Sequence, residues 1–315
     1  MYQIGFDIGG TDIKAGIVND DMKIVGSTVF PFPKGQPCDC VISAMAARVK
    51  ELSGRTGIAA DEFKSIGMAT AGSVNIEKGM IINAHNLGFH NAPIVREMSK
   101  HFPGMPVNLA NDADAAAIAE LRGGVFLGKK TAVLLTLGTG VGGGIIINGR
   151  LFTGGQGHGN ELGHMTIMQG GPLCTCGNRG CIESLCAATW LLERGKESAS
   201  KNPKGLIYEK CAGKIDEITA KVVVDSAKEK DPDASGIFNA YLDSLSSALA
   251  SIAVLLDPEV IALGGGISLA GDFLFEPLRE LVKGKSFFKI YHEILPAKYG
   301  NTAGIIGAAM LSKEY

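Results

Sequence analysis

Tryptophan occurs once and proline only 12 times in 315 residues, which excludes proline-rich linkers and proline-rich disorder. Positive charge is not in surplus either: 30 Lys plus Arg face 32 Asp plus Glu, a net charge of −2. A chain without basic excess has little with which to grip a phosphate backbone, so no nucleic acid partner is expected. The longest apolar stretches, such as 248–256, run about half the ~20 residues a bilayer crossing requires, and no membrane span is expected. MYQIGFDIGG lacks a basic n-region and a sustained apolar run, and Asp7 interrupts it, so no secretory signal is read there and the expected location is cytoplasmic. No G-x-x-x-x-G-K-[ST] occurs, which removes a P-loop.

Glycine, by contrast, is abundant: 43 residues, about twice the usual ~7% share, within a chain that is 46% apolar. That combination predicts a globular protein with many tight loops, long enough for two packed lobes. Cysteine is odd in number at seven, and Cys174, Cys176 and Cys181 crowd together, which in a reducing compartment points to metal before disulfides.

YQIGFDIG, IKAGIV and KIVGSTVF read as three short strands, a meander that opens the fold. Val41, Met45, Val49 and Leu52 recur at helical spacing, and KSIGMA and MPVNLAN are strand-like runs with the helical PIVREMSKHF between them. A second strand-rich opening begins at TAVLLTLG, continues through GGGIIING and turns at Asn148-Gly149, so the order of the first half recurs as in an internal duplication. Beyond the cysteines the chain turns helical, with a core helix over about 236–256, a buried strand EVIALGGG, and helices at FEPLRELVKG and AGIIGAAMLSK. Alternating strands and helices predict an α/β architecture.

In DIGGTDIK a strand ends in Asp7 and a Gly9-Gly10-Thr11 turn precedes the next strand at Lys14. Glycine N–H groups and a Thr hydroxyl can hold phosphate there, and the Asp can hold hydrated Mg²⁺; a plain hairpin turn is the bland alternative. Gly138-Thr139-Gly140 opens a second glycine cluster that formally contains G-x-G-x-x-G, but the β-branched run Ile145–Ile147 follows where a dinucleotide site needs a helix. A dehydrogenase is thereby disfavoured, and two strand-turn-strand loops suggest one polyphosphate clamped between two lobes. Asn111-Asp112 precede an alanine-rich helical segment. Both suit a helix cap, and Asp112 at a helix N-terminus can also stay ionised and accept a proton from a substrate hydroxyl. His164 with Cys174, Cys176 and Cys181 makes a complete tetrahedral set for a structural Zn²⁺, with Gly177 and Gly180 for the sharp turns and Glu161 and Glu183 flanking it.

With these motifs in order, DIGGTDIK at 7–14, NDADAAA at 111–117, LTLGTGVGGG at 135–144, ELGH at 161–164, CTCGNRGCIE at 174–183 and GGG at 264–266, the chain resembles the ROK family of bacterial sugar kinases and regulators over nearly its whole length. The resemblance implies a two-lobed α/β, ribonuclease H-like (actin-like ATPase) fold with a zinc knuckle in the second lobe. The expected lobes are 1–118 plus 302–315, and 119–301, with ATP in the cleft and the sugar beside its γ-phosphate. By resemblance, Asp112 is the catalytic base; Asn111, Asp112, Glu161, His164 and Glu183 contact the sugar, His164 being shared with zinc. Asp7 lies near Mg²⁺; Gly9, Gly10, Thr11 and Lys14 form the first phosphate loop, Gly138, Thr139 and Gly140 the second, and Gly264, Gly265 and Gly266 lie by the adenosine. The implied activity is ATP-dependent transfer to the 6-hydroxyl of a hexose, glucose first, in a homo-oligomer (dimer or tetramer). A kinase for N-acetylmannosamine or another hexose or glucoside, and a non-catalytic sugar sensor, are the alternatives. Family regulators carry a helix-turn-helix ahead of this body, and only six residues precede Asp7 here. One departure is Ala71, where many of the family's glucokinases have proline.

Overall fold

A computed structural model of the chain describes residues 1–155 and 160–313; residues 314 and 315 of the expected N-terminal lobe lie outside the described residues. The opening meander is β1 (Tyr2–Ile8), β2 (Asp12–Asn19) and β3 (Ile24–Pro31), joined antiparallel. α1 (Cys38–Thr56) follows and ends at Gly57, whose φ of 70° is the left-handed stop that glycine favours. Next come β4 (Phe63–Thr70), β5 (Ser73–Asn75), β6 (Met80–Ala84), β7 (Phe89–Ala92), α2 (Ile94–His101), β8 (Val107–Asn111) and α3 (Asp112–Gly123). β4 and β8 join the meander in parallel, giving the order β3-β2-β1-β4-β8, while β5, β6 and β7 form a separate small sheet.

The second half repeats the plan. β9 (Ala132–Leu137), β10 (Val141–Ile147) and β11 (Arg150–Leu151) precede a helical stretch, α4 (Ile182–Cys186), α5 (Ala188–Lys201), α6 (Leu206–Lys210), α7 (Ala220–Lys228) and α8 (Pro232–Leu256). β12 (Val260–Gly264), α9 (Asp272–Lys285), β13 (Ile294–Pro296) and α10 (Ala303–Met310) complete the chain. The sheet order β11-β10-β9-β12-β13 matches that of the first sheet, position for position, with β12 parallel to both β9 and β13. The recurring meander read from sequence is therefore a recurring topology.

Two compact units result: residues 1–130, 144–160 and 298–315 form the first, and 131–143 with 161–297 the second. The division expected at 118/119 falls inside α3, whose buried Ile118, Ala119 and Leu121 continue one helix face without a break. In the first unit, α1 packs Val41, Met45 and Leu52 onto Ile4, Phe6 and Met68 of the sheet. The opposite face is covered by α10 and α3, with Ala69, Ala110, Ala115, Ile118 and Met310 in contact. Burial on both faces extends to Gln3 and Gly5, which alternate with the apolar Tyr2, Ile4 and Phe6 along β1.

Glycine makes that second face possible. A side-chain carbon on Gly5 would overlap the Ile305 carbonyl, one on Gly67 the Ala308 carbonyl, and one on Gly307 the Ala115 carbonyl, so α10 lies with its backbone directly on β1, β4 and α3. Gly67→Ala is expected to cost about 3 kcal/mol, the upper range for overpacking. Urea unfolding of the variant should show the midpoint falling accordingly, and an unchanged midpoint would refute the packing argument.

The core of the second unit joins Leu135 and Leu263 of the strands to Tyr241, Leu245, Leu249 and Leu278 of the helices. α8 starts at Pro232, earlier than its apolar periodicity suggests, because Asp231 caps it by accepting the Ala234 N–H at 2.8 Å. Contrary to the expectation from apolar run length, this helix is long and apolar enough, by length and composition, to cross a membrane. Its Phe238, Tyr241, Leu245 and Ile252 are nevertheless buried in the protein core.

Candidate active site

In the first unit, the β1–β2 register sets Asp7 opposite Lys14, and Lys14 Nζ donates to Asp7 Oδ2 at 2.9 Å. The hairpin between them closes when Gly9 N–H donates to the Asp12 carbonyl at 3.0 Å. A side-chain carbon on Gly10 would come within 3.0 Å of Asn86, so the turn tip and the 85–87 turn need a glycine to approach this closely. Asp7 also lies against the first turn of α10, where a side-chain carbon on Gly304 would be 2.7 Å from its Cγ.

β8 delivers Asn111 and Asp112 to the start of α3. Asn111 caps the helix, its side chain accepting the Ala113 N–H at 2.8 Å, while its Nδ2 donates to the Gly72 carbonyl at 3.1 Å. Asp112 is the first helical residue, exposed, with Oδ1 accepting the same Ala113 N–H at 2.8 Å. Asn111 thus performs the capping that either residue could have performed, and leaves the Asp112 carboxylate at the protein surface.

In the second unit, the Gly138–Gly140 turn folds back on itself, Gly138 N–H donating to the Gly140 carbonyl at 3.0 Å. The start of α5 grips it from one side: Ala188 N–H donates to the Gly138 carbonyl at 2.7 Å and Thr189 Oγ1 to the Thr139 carbonyl at 3.1 Å. Gly264 ends β12, and Gly265, at φ 83°, passes so close to the Leu137 backbone that no side chain fits. Beside these turns lies a cavity of about 680 Å³, bordered by Thr139, Ala188, Val224, Lys228, Gly266 and Ile267. Its size suits a nucleotide-sized ligand, and its lining is mainly apolar with a few polar groups.

The cysteines and His164 converge in the same unit. Their ligand atoms all lie within 4.8 Å of one another; Cys176 Sγ is 3.8 Å from Cys181 Sγ, and Cys174 Sγ 3.5 Å from His164 Nδ1. Those separations match the edges, about 3.8 and 3.5 Å, of a tetrahedron built with ~2.3 Å metal–sulfur and ~2.0 Å metal–nitrogen bonds. Burial, then the adjoining Cys174 and Cys176, pushes the Cys181 thiol up to about 12, whereas the Asn178 backbone N–H holds the exposed Cys176 thiol below its ordinary value. A divalent cation is what lets such packed thiols ionise together. Gly177 and Gly180 take φ of 88° and 73°, and a side chain on Gly180 would overlap the Met168 carbonyl. The sharp turns read from sequence therefore do require glycine.

Glu183, second residue of α4, spans two of these features. Its Oε1 accepts the Thr175 hydroxyl at 2.6 Å and its Oε2 accepts the Val141 N–H at 3.2 Å. Glu161 immediately precedes the short helix that carries His164. It is solvent-accessible yet set among enough protein to raise its carboxyl above the ordinary range through lost hydration, with His164 opposing and Glu183 adding to the rise.

Residues 3–315 match the sequence model of the ROK family. The chain belongs to this family. The ROK chain is 36% identical to a glucokinase of Thermotoga maritima over 315 residues, covering 99% of itself and 97% of that protein. Its fold is similar to that of a ROK family glucokinase from Streptomyces griseus in complex with glucose and AMPPNP, at 30% identity and TM-score 0.84 with both chains fully covered. A ROK hexokinase from Thermus thermophilus matches at 30% identity and TM-score 0.81, over 98% of this chain and 97% of its own. The α/β sugar-kinase fold of the actin-like ATPases is accordingly the fold of this ROK protein.

Several residues around the site were not singled out by the sequence reading, Thr175 among them although it lies within the cysteine motif. Thr189 and Thr175 act through single hydroxyls, and the cavity walls contributed by Val224 and Lys228 come from α7, whose apolar spacing reads as ordinary core. Asn86 could have been found from the turn His85-Asn86-Leu87, but its contact with Gly10 is set by tertiary packing.

Proposed function

We propose that this ROK protein transfers the γ-phosphoryl group of ATP to the 6-hydroxyl of a hexose, with glucose as its substrate. Asp112 carries the reading: an exposed carboxylate at the first position of α3, beside the Asn111 side chain that caps the helix, in a chain with two glycine-rich turns and a nucleotide-sized cavity. The carboxylate accepts the hydroxyl proton as the sugar oxygen attacks phosphorus; the bond to the β–γ bridging oxygen breaks, and ADP and a sugar 6-phosphate leave. Asn111, Glu161, His164 and Glu183 orient the sugar. Main-chain N–H groups of Gly9–Thr11 and Gly138–Gly140 take the phosphates, with Lys14 adding charge, and Gly264–Gly266 border the adenosine.

Asp7 is the residue that would hold Mg²⁺, a partly exposed carboxylate suited to a hydrated ion, which when bound neutralises charge between the phosphates. The Cys₃His set would hold a structural Zn²⁺, whose donor chemistry and tetrahedral spacing it fits. A cytoplasmic homo-oligomer, dimer or tetramer, with no nucleic acid or membrane partner, completes the proposal.

The test is coupled ADP release with ATP and Mg²⁺ over glucose, mannose, fructose, allose, glucosamine, N-acetylglucosamine, N-acetylmannosamine and a β-glucoside. Glucose is expected to give the highest kcat/KM. Dominance of N-acetylmannosamine would reassign the substrate, and no sugar-stimulated turnover in folded, zinc-loaded protein would favour a sensor.

A further inference from the structure

We propose that Thr175 is a positioning residue that ties the cysteine knuckle to the nucleotide-phosphate turn through Glu183; the proposal rests on the kinase reading above. Thr175 sits between two of the metal-ligating cysteines and is exposed, so its hydroxyl has water available as a partner. It instead donates to Glu183 Oε1 at 2.6 Å, a short, well-formed hydrogen bond. Cys174 Sγ makes a longer contact with the same oxygen, at 3.6 Å.

The other end of the carboxylate reaches the turn. Oε2 accepts the Val141 N–H at 3.2 Å, and that N–H belongs to the same peptide unit as the Gly140 carbonyl, which accepts from Gly138 at 3.0 Å. One planar peptide thus closes the Gly138–Gly140 turn with its oxygen and is anchored by Glu183 with its nitrogen. Rotating it would break both bonds. Gly140 is part of the arrangement, because a side-chain carbon there would lie 2.5 Å from Glu183 Oε2. The carbonyls of Gly138 and Thr139 are held independently by α5, so Glu183 is the link from this turn to the knuckle, and Thr175 fixes its orientation.

Replacing Thr175 with Val keeps the shape and removes the donor. The effect should fall on phosphate binding more than on the adenosine cavity, whose walls come mostly from α5, α7 and residues 266–270 and meet the turn only at Gly138 and Thr139. In the zinc-loaded protein without sugar, calorimetry should show T175V binding ADP roughly tenfold more weakly, the scale of one hydrogen bond to a charged group, with adenosine affinity and metal content unchanged. T175S, which retains the hydroxyl, should bind both as wild type does. T175V binding ADP normally would overturn the assignment. So would equal losses for ADP and adenosine, or loss of metal, either of which would make Thr175 a structural part of the unit. A wild-type protein that binds no ADP at all would instead overturn the kinase reading beneath it.

Discussion

Asp112→Asn is expected to lower kcat by about 10²-fold or more, the range of general base catalysis, while sugar affinity, metal content and thermal stability stay close to wild type. The substitution is well posed because of how α3 begins. Asn111 Oδ1 satisfies the Ala113 N–H at 2.8 Å, and an amide at 112 retains an acceptor oxygen where Asp112 Oδ1 stands. The helix therefore keeps its cap, and what disappears is the ability to take a proton. A contribution made only in the transition state should depress kcat and kcat/KM together with little change in sugar binding. Steady-state kinetics with calorimetric sugar titration would check this. Near-normal kcat in the variant would remove Asp112 from the role of base. Asp114, two residues on, makes the useful contrast: it is 2% exposed and accepts from Asn160 Nδ2 at 3.3 Å, so changes there should register as lost stability.

Removing the proposed Zn²⁺ should have an even broader effect. Around the four ligands the chain is held by short pairings and single side-chain bonds: the bridges Thr166↔Cys181 and Leu173↔Arg179, the turn in which Gly177 N–H donates to the Cys174 carbonyl at 2.9 Å, and the bonds from Thr175 to Glu183 and from Asn178 to Thr166. Apolar support is confined to the inner edge, where Met165, Ile167 and Ile182 meet the core of the unit, while Met168 and Leu173 are 46% and 64% exposed. A segment with so little core depends on the free energy of ligation, which reaches ~10–16 kcal/mol in zinc-finger peptides. Glu161, His164 and Glu183 all hang on it. Chelation, or Cys181→Ser, is expected to release about one zinc ion per chain, lower the melting temperature and abolish sugar binding. Metal analysis, calorimetry and sugar titration on the same sample would decide the matter. A demonstrably zinc-free protein with unaltered melting and sugar affinity would eliminate the scaffold role.

The knuckle was legible because three cysteines and a histidine leave a local signature, and the two glycines that turn the backbone lie between them. The strand-turn-strand openings were legible because β-branched residues and glycine have strong local preferences. The sheet of β5, β6 and β7 was not, since runs such as Phe-His-Asn-Ala at 89–92 have no apolar alternation and pair through tertiary contacts. Nor was the course of the chain between the two units, which depends on contacts: Gly144 belongs with the first because it packs on Ala117 of α3, Gly143 with the second because it packs on Leu162. The Thr175–Glu183–Val141 linkage ends on a backbone N–H, and a backbone partner leaves no trace in residue identity.

The packing of α10 on the first sheet has a consequence for biosynthesis. Strands from residues 2–70 leave the ribosome early, but the helix that covers one face of them comes from residues 303–310. Until residues 303–310 have been made, that face is covered only where α3 reaches it, and its glycines at 5 and 67 leave a shallow, backbone-lined surface open to other chains. The nascent chain must therefore wait for α10, and the pace of elongation bears directly on how long this surface stands open to wrong contacts.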